Sequence, residues 1–113
     1  MAELFAEAGR ALAEVMGQPG APSRMEPQRI AVQASDREAL LVEWLNELVF
    51  RSERTGELFP DLTVDEITDR ALRATIRGSE VRESRSQVKA ATFHALRIEE
   101  GPTGLTATVV LDV

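Results

Sequence analysis

The sequence predicts an α+β domain in which two amphipathic helices pack on a largely antiparallel β-sheet, and three observations carry that prediction. Residues 3–16 and 36–55 repeat apolar side chains at the three-and-four spacing of a helix. Residues 29–34, 62–67, 71–77, 87–98 and 105–113 instead alternate apolar and polar side chains, the pattern of half-buried strands. Short polar links, Thr68-Asp69-Arg70 and the stretch E-E-G-P-T-G, join successive strand-like runs as hairpins.

Glu3 to Met16 places Leu4, Ala8, Leu12 and Val15 on one face and Glu3, Glu7, Arg10 and Glu14 on the other, with Gly17 as the stop. The following Q-P-G-A-P-S-R reads as a loop, because Pro and Gly break regular pattern. Arg29 to Ala34 is a short strand with Ile30, Val32 and Ala34 inward. Ser35 then reads as the N-cap of a capping box closed by Glu38. The helix it starts runs from Asp36 to about Thr55 and carries Leu40, Leu41, Trp44, Leu45, Leu48 and Val49 as its buried stripe. Leu62 to Ile67 and Ala71 to Arg77 form a hairpin, and Gly78 to Ser86 is a polar crossing without hydrophobic period. Gln87 to Ile98 and Leu105 to Val113 make the last pair of strands. An unbroken first strand puts Val88, Ala90, Thr92, His94, Leu96 and Ile98 on one face, and Lys89, Ala91, Phe93 and Arg97 on the other.

A chain of 113 residues is expected to form a single domain over 1–113, burying roughly two-thirds of its unfolded surface. Its 43% hydrophobic and 28% charged residues match ordinary globular usage. Cysteine is absent, which excludes disulfides, thiolate zinc sites and thiol catalysis. No apolar run approaches the roughly 20 residues of a membrane span, and no basic-then-apolar leader opens the chain, so a cytoplasmic soluble protein is expected. A net charge of −6 argues against a free-standing nucleic-acid binder. The charge is uneven: from Arg70 to Arg97 seven basic residues face only Glu80 and Glu83, a local +5 that leaves −11 elsewhere. These arginines form either a solvated outer sheet face or a basic interaction face.

The chemistry-bearing residues gather late in the chain. Val88 to Leu96, V-K-A-A-T-F-H-A-L, holds the only lysine, Lys89, and the only histidine, His94. Twelve of the thirteen basic residues are arginine, so the single mid-strand Lys89 stands out as a compact cation suited to a phosphate or carboxylate. A lone His94 is a weak metal or catalytic signal, equally a packing residue. Asp112 beside the Val113 carboxylate offers two oxygen anions, by themselves only a half-site for a hard cation such as Ca²⁺ or Mg²⁺, which needs several more ligands. Glu43 and Glu47, four apart, are either a carboxylate pair or solvated helix charge. Neither a G-x-S-x-G elbow, a P-loop nor a G-x-G-x-x-G turn is present.

In order and spacing, E-L-F-A-E-A-G-R-A-L-A-E-V-M at Glu3 to Met16, A-L-L-V-E-W-L-N-E-L-V-F at Ala39 to Phe50, V-K-A-A-T-F-H-A-L and the final V-V-L-D-V resemble the archease family. That resemblance spans essentially the whole chain. It implies a non-enzymatic, chaperone-like protein cofactor that docks on an RtcB-type RNA ligase and promotes its guanylylation and repeated turnover in tRNA splicing and RNA repair. RNA would be touched only indirectly. It also implies that Lys89 is the partner-activating residue with Thr92 and His94 in support, and that Asp112, with Val113 beside it, belongs to a divalent metal site. Members of the family usually begin with a strand bearing a further Asp ligand, whereas here Met1 abuts the first helix. The expectation is therefore an incomplete metal site and an unpaired strand edge or uncovered apolar patch that favours self-association. Two other classes stay open from the residues alone: a binding or assembly module without ligase activity, and a small metal-dependent hydrolase using Asp112 and His94.

Overall fold

The computed structural model describes residues 1–113 as two helices and six strands, every strand pair antiparallel. Helix α1 spans Ala2–Met16 and α2 Arg37–Thr55; the strands are β1 Gly17–Pro22, β2 Gln28–Gln33, β3 Leu58–Ile67, β4 Ala71–Ser84, β5 Ala90–Gly101 and β6 Gly104–Asp112. Strand β4 is the spine of the larger sheet. Its first half pairs with β2 and its second half with β1, while β3 pairs along the opposite edge. The expected single sheet is in fact two, because β5 and β6 form a separate hairpin.

Helix α2 ties the halves together. Leu40, Leu41, Val42, Trp44, Leu45, Leu48, Val49 and Ser52 are all buried, an arc wide enough for the helix to touch β2, β3 and β4 as well as β5. Trp44 has no exposed surface, and its indole N–H donates to the Phe5 carbonyl at 2.8 Å, joining the two helices through a satisfied buried polar group. Gly9 of α1 sits at the tightest approach: a Cβ there would come within 2.7 Å of the Leu62 side chain and 3.1 Å of Leu48. Gly56 ends α2 at φ 72°, the left-handed cap that a glycine adopts without Cβ strain.

Four expectations need correction. The N-cap of α2 is Asp36, whose carboxylate accepts from the Ala39 N–H at 2.8 Å; Glu38 lies 3.6 Å from Arg37 and closes no capping box with Ser35. The Gln18 to Pro22 part of the expected loop is strand β1, and the polar crossing from Gly78 is β4 continuing to Ser84. Each supplies the other's pairing, with register shifts around Pro19 that absorb residues lacking an N–H. Met16 does not precede free chain either, since the Met16 and Val15 carbonyls accept from the Arg85 and Ser86 amides.

The fourth correction concerns the faces of β5. Ala95 takes φ 53°, and the register steps by three residues between Arg97↔Thr108 and Thr92↔Val110. Phe93 to Leu96 therefore bulge opposite Val109 alone. Val88, Ala91 and Ile98 are buried, whereas His94 is exposed, so the unbroken alternation fails in the middle of the strand.

Candidate functional site

The bulge decides what meets at the open end of the hairpin. Carried unbroken from the Gly101↔Gly104 turn, the register would set Phe93 against Asp112; the three-residue step sets Ala90 there instead. Lys89 then follows directly, its backbone N–H donating to the Asp112 carbonyl at 2.7 Å. Thr92 locks the next turn of the ladder by donating its hydroxyl to the Val110 carbonyl at 3.0 Å. Lys89 and Asp112 are thus neighbours through the main chain, and both side chains are exposed. Lys89 lies within ion-pair distance of no carboxylate, which leaves its ammonium available to a partner.

Other expected site residues fall elsewhere. His94 stands exposed in the bulge, four residues along β5 from the pairing partner of Asp112, a separation on the order of 10 Å at strand rise. Glu47 is engaged by Arg51 at 2.8 Å, and Arg51 also donates to Gln28 at 2.7 Å, so the Glu43 and Glu47 pair serves the helix surface. Nowhere do three or more His, Asp or Glu side chains gather in a position to hold a metal. Asp112 and Val113 are two oxygen donors where a hard cation takes six or more, and the present residues do not fit a complete divalent site.

One positioning residue was missed from the sequence. Asn46, the chain's only asparagine, accepts the Ala91 N–H at 2.7 Å and donates to the Ala91 carbonyl at 3.2 Å. It stands in for a neighbouring strand on the outer edge of β5 and fixes the segment two residues beyond Lys89 against α2. A lone amide beside the buried Trp44, Leu45, Leu48 and Val49 was the available signal.

Two concavities flank this end of the molecule. One, of about 420 Å³, runs from Lys89 to the C-terminal end of α2. The other, about 190 Å³ and wholly apolar, lies between α1 and β6, lined by Ala8, Leu12 and Val15 against Ala107, Val109 and Leu111. Beside it the outer edge of β6 has no partner strand.

A hairpin clamped to a helix pair, with an unpaired lysine exposed at its open end, makes this a small α+β protein. Over residues 1–113 the chain matches the model of the Archease protein family (MTH1598/TM1083), and it belongs to that family. It is 35% identical to the protein archease of Methanothermobacter thermautotrophicus, across 98% of this chain and 84% of that one, and 30% identical to the archease of Methanopyrus kandleri with the same coverage. The solution structure of Methanobacterium thermoautotrophicum protein 1598 superposes with TM-score 0.73 at 33% identity, covering 99% of this chain and 84% of that one. A Thermotoga maritima structure described as an archease and possible chaperone matches in fold, with TM-score 0.70 at 22% identity over 98% and 81% of the two chains. No helix is long and apolar enough to cross a membrane.

Proposed function

We propose that this protein is a protein cofactor of an RtcB-type RNA ligase, docking through the open end of the β5–β6 hairpin and promoting guanylylation of the ligase so that it turns over repeatedly. The observation that carries this reading is the exposed, unpaired Lys89, held by its own backbone bond to Asp112 and by the Asn46 clamp. A flexible ammonium on a fixed backbone is suited to enter a phosphate-rich pocket on another protein and stabilise the nucleotide-loaded state. Thr92 supports by pinning the ladder. His94 supports only indirectly, through the bulge that sets the register. Any divalent ion at Asp112 and Val113 needs ligands from outside these two residues, so no step of the mechanism passes through it.

RNA ligation under limiting ligase, with RNA, GTP and metal in excess, tests this. Product should pass one turnover per ligase only when the protein is added. Lys89→Ala should lose that stimulation while its unfolding free energy changes by no more than about 0.5 kcal/mol, as expected of exposed substitutions. A fully stimulating Lys89→Ala protein would remove Lys89 from the role, and wild-type protein without effect on any cognate ligase would remove the role itself.

A binding or assembly module is the second reading, favoured by the apolar groove between α1 and β6. Hydrolysis by Asp112 and His94 has no geometric support, since the bulge holds them apart.

A further inference from the structure

We infer that the cleft beside Lys89 is a receptor for a basic side chain, an arginine or lysine, carried by the protein on which this domain docks. The inference deepens the docking reading above and rests on it, but not on the partner being a ligase.

Apolar walls come first. Met16, Val49, Leu58 and Val81 line the cleft, a surface suited to the methylene stem of a long cationic side chain. Its volume of about 420 Å³ falls in the range of ligand-holding clefts. Glu53 and Glu57 add carboxylates at one end, where α2 terminates and its last carbonyls give a partial negative charge.

Glu57 is held in place by specific features. Its backbone N–H donates to Thr55 Oγ1 at 3.2 Å, and its side chain lies over Gly78, where a Cβ would come 2.5 Å from Oε1. That oxygen is buried and receives no hydrogen bond. An acceptor oxygen buried without a donor carries a desolvation cost, and a cationic N–H donor brought beside it would offset that cost.

The chain's own cations leave both acids free. Arg51 is committed to Glu47 and Gln28, Arg54 lies over the Phe50 ring at 5.7 Å, and Arg85 lies 3.8 Å from Glu83 and donates to the Glu14 carbonyl. Neither Glu53 nor Glu57 takes part in any ion pair. An anionic occupant gathered by Lys89 alone would face two carboxylates, so electrostatics selects a cation. Docking then becomes reciprocal: Lys89 reaches into the partner while a basic side chain of the partner reaches back beside it.

Titration of the full chain with N-acetyl-arginine methylamide, followed by amide NMR, is the test, with the citrulline analogue as the neutral isostere and inorganic phosphate as the anionic rival. The arginine probe should give saturable shifts confined to Ser52–Leu58 and Val81–Lys89, binding about tenfold more tightly than the citrulline probe. Glu57→Gln should erase that preference, and Glu53→Gln should weaken it if Glu57→Gln does not fold. Equal binding of both probes, an unchanged preference in both variants, or saturable shifts with phosphate alone would overturn the inference. Because no ligase is present, arginine binding without ligase stimulation would retain the cleft and discard the ligase. Stimulation without arginine binding would do the reverse.

Discussion

The Trp44 region and the β5–β6 hairpin are held in opposite ways. Around Trp44, the side chains of Phe5, Leu40, Leu41, Val42, Leu72 and Ile76 are almost completely removed from solvent. The hairpin and the segment leading into it contribute only Val88, Ala91 and Ile98 as buried residues, and one asparagine clamps the hairpin to α2. Burial is therefore concentrated away from the residues proposed to carry function. The hairpin joins the common core through Val88, Ala91 and Ile98 while holding an exposed lysine and an irregular strand outside it.

The largest break in that contrast should come from Trp44→Ala. It removes the biggest buried side chain and leaves the Phe5 carbonyl without its donor, so a loss of about 3–5 kcal/mol is expected in denaturant unfolding. Both helices should lose hydrogen-exchange protection together, as a global event.

Asn46→Ala should separate the two regions. Ala91 loses its partner for both backbone groups, a cost of about 1–3 kcal/mol. Exchange at Ala90 to Ile98 should accelerate while β3 and β4 stay protected, and ligase stimulation should fall with Lys89 itself untouched. Equal acceleration in both sheets would mean that the hairpin and body are one cooperative unit.

Asp36→Ala is a smaller test of the body alone. Losing the bond to the Ala39 amide should lower global stability by about 1 kcal/mol and leave the hairpin's relative protection unchanged. Ser35→Ala should do almost nothing, which distinguishes the observed cap from the one that the S-D-R-E spacing suggests.

That distinction shows where the sequence was legible. Both helices and the β3–β4 turn follow from local periodicity and Gly or polar punctuation, because a helix face is written within a few residues of itself. Strand β1 and the far half of β4 carry no hydrophobic period, since most of their residues face solvent; what makes each a strand is the other, about sixty residues away. The adjacency of Lys89 and Asp112 was legible as neighbouring strands, but the register that creates it depends on the bulge at Ala95, an alanine with no composition signal. Asn46 escaped notice because its partners are main-chain atoms of a strand that sequence spacing does not bring near.

The smallest expected effect tests the two outer edges of the hairpin against each other. Strand β5 is covered at Ala91 by Asn46 and α2, whereas β6 runs Gly104 to Asp112 with no charge before its last residue, no proline and no neighbour on its outer side. Such an edge lacks the usual protections against pairing with another chain. A second copy is self-complementary there: an antiparallel pair centred on Val109 sets Thr108 against Val110 and keeps each Asp112 away from its counterpart. The expected result is weak, concentration-dependent self-association in sedimentation equilibrium. Thr108→Lys, an exposed change on that edge, should suppress it through like-charge repulsion while altering monomer stability by no more than about 0.5 kcal/mol. A monomer at every concentration would mean that twist and the flanking α1 already shield β6, and the contrast between its edge and that of β5 would then lie in geometry and not in pairing.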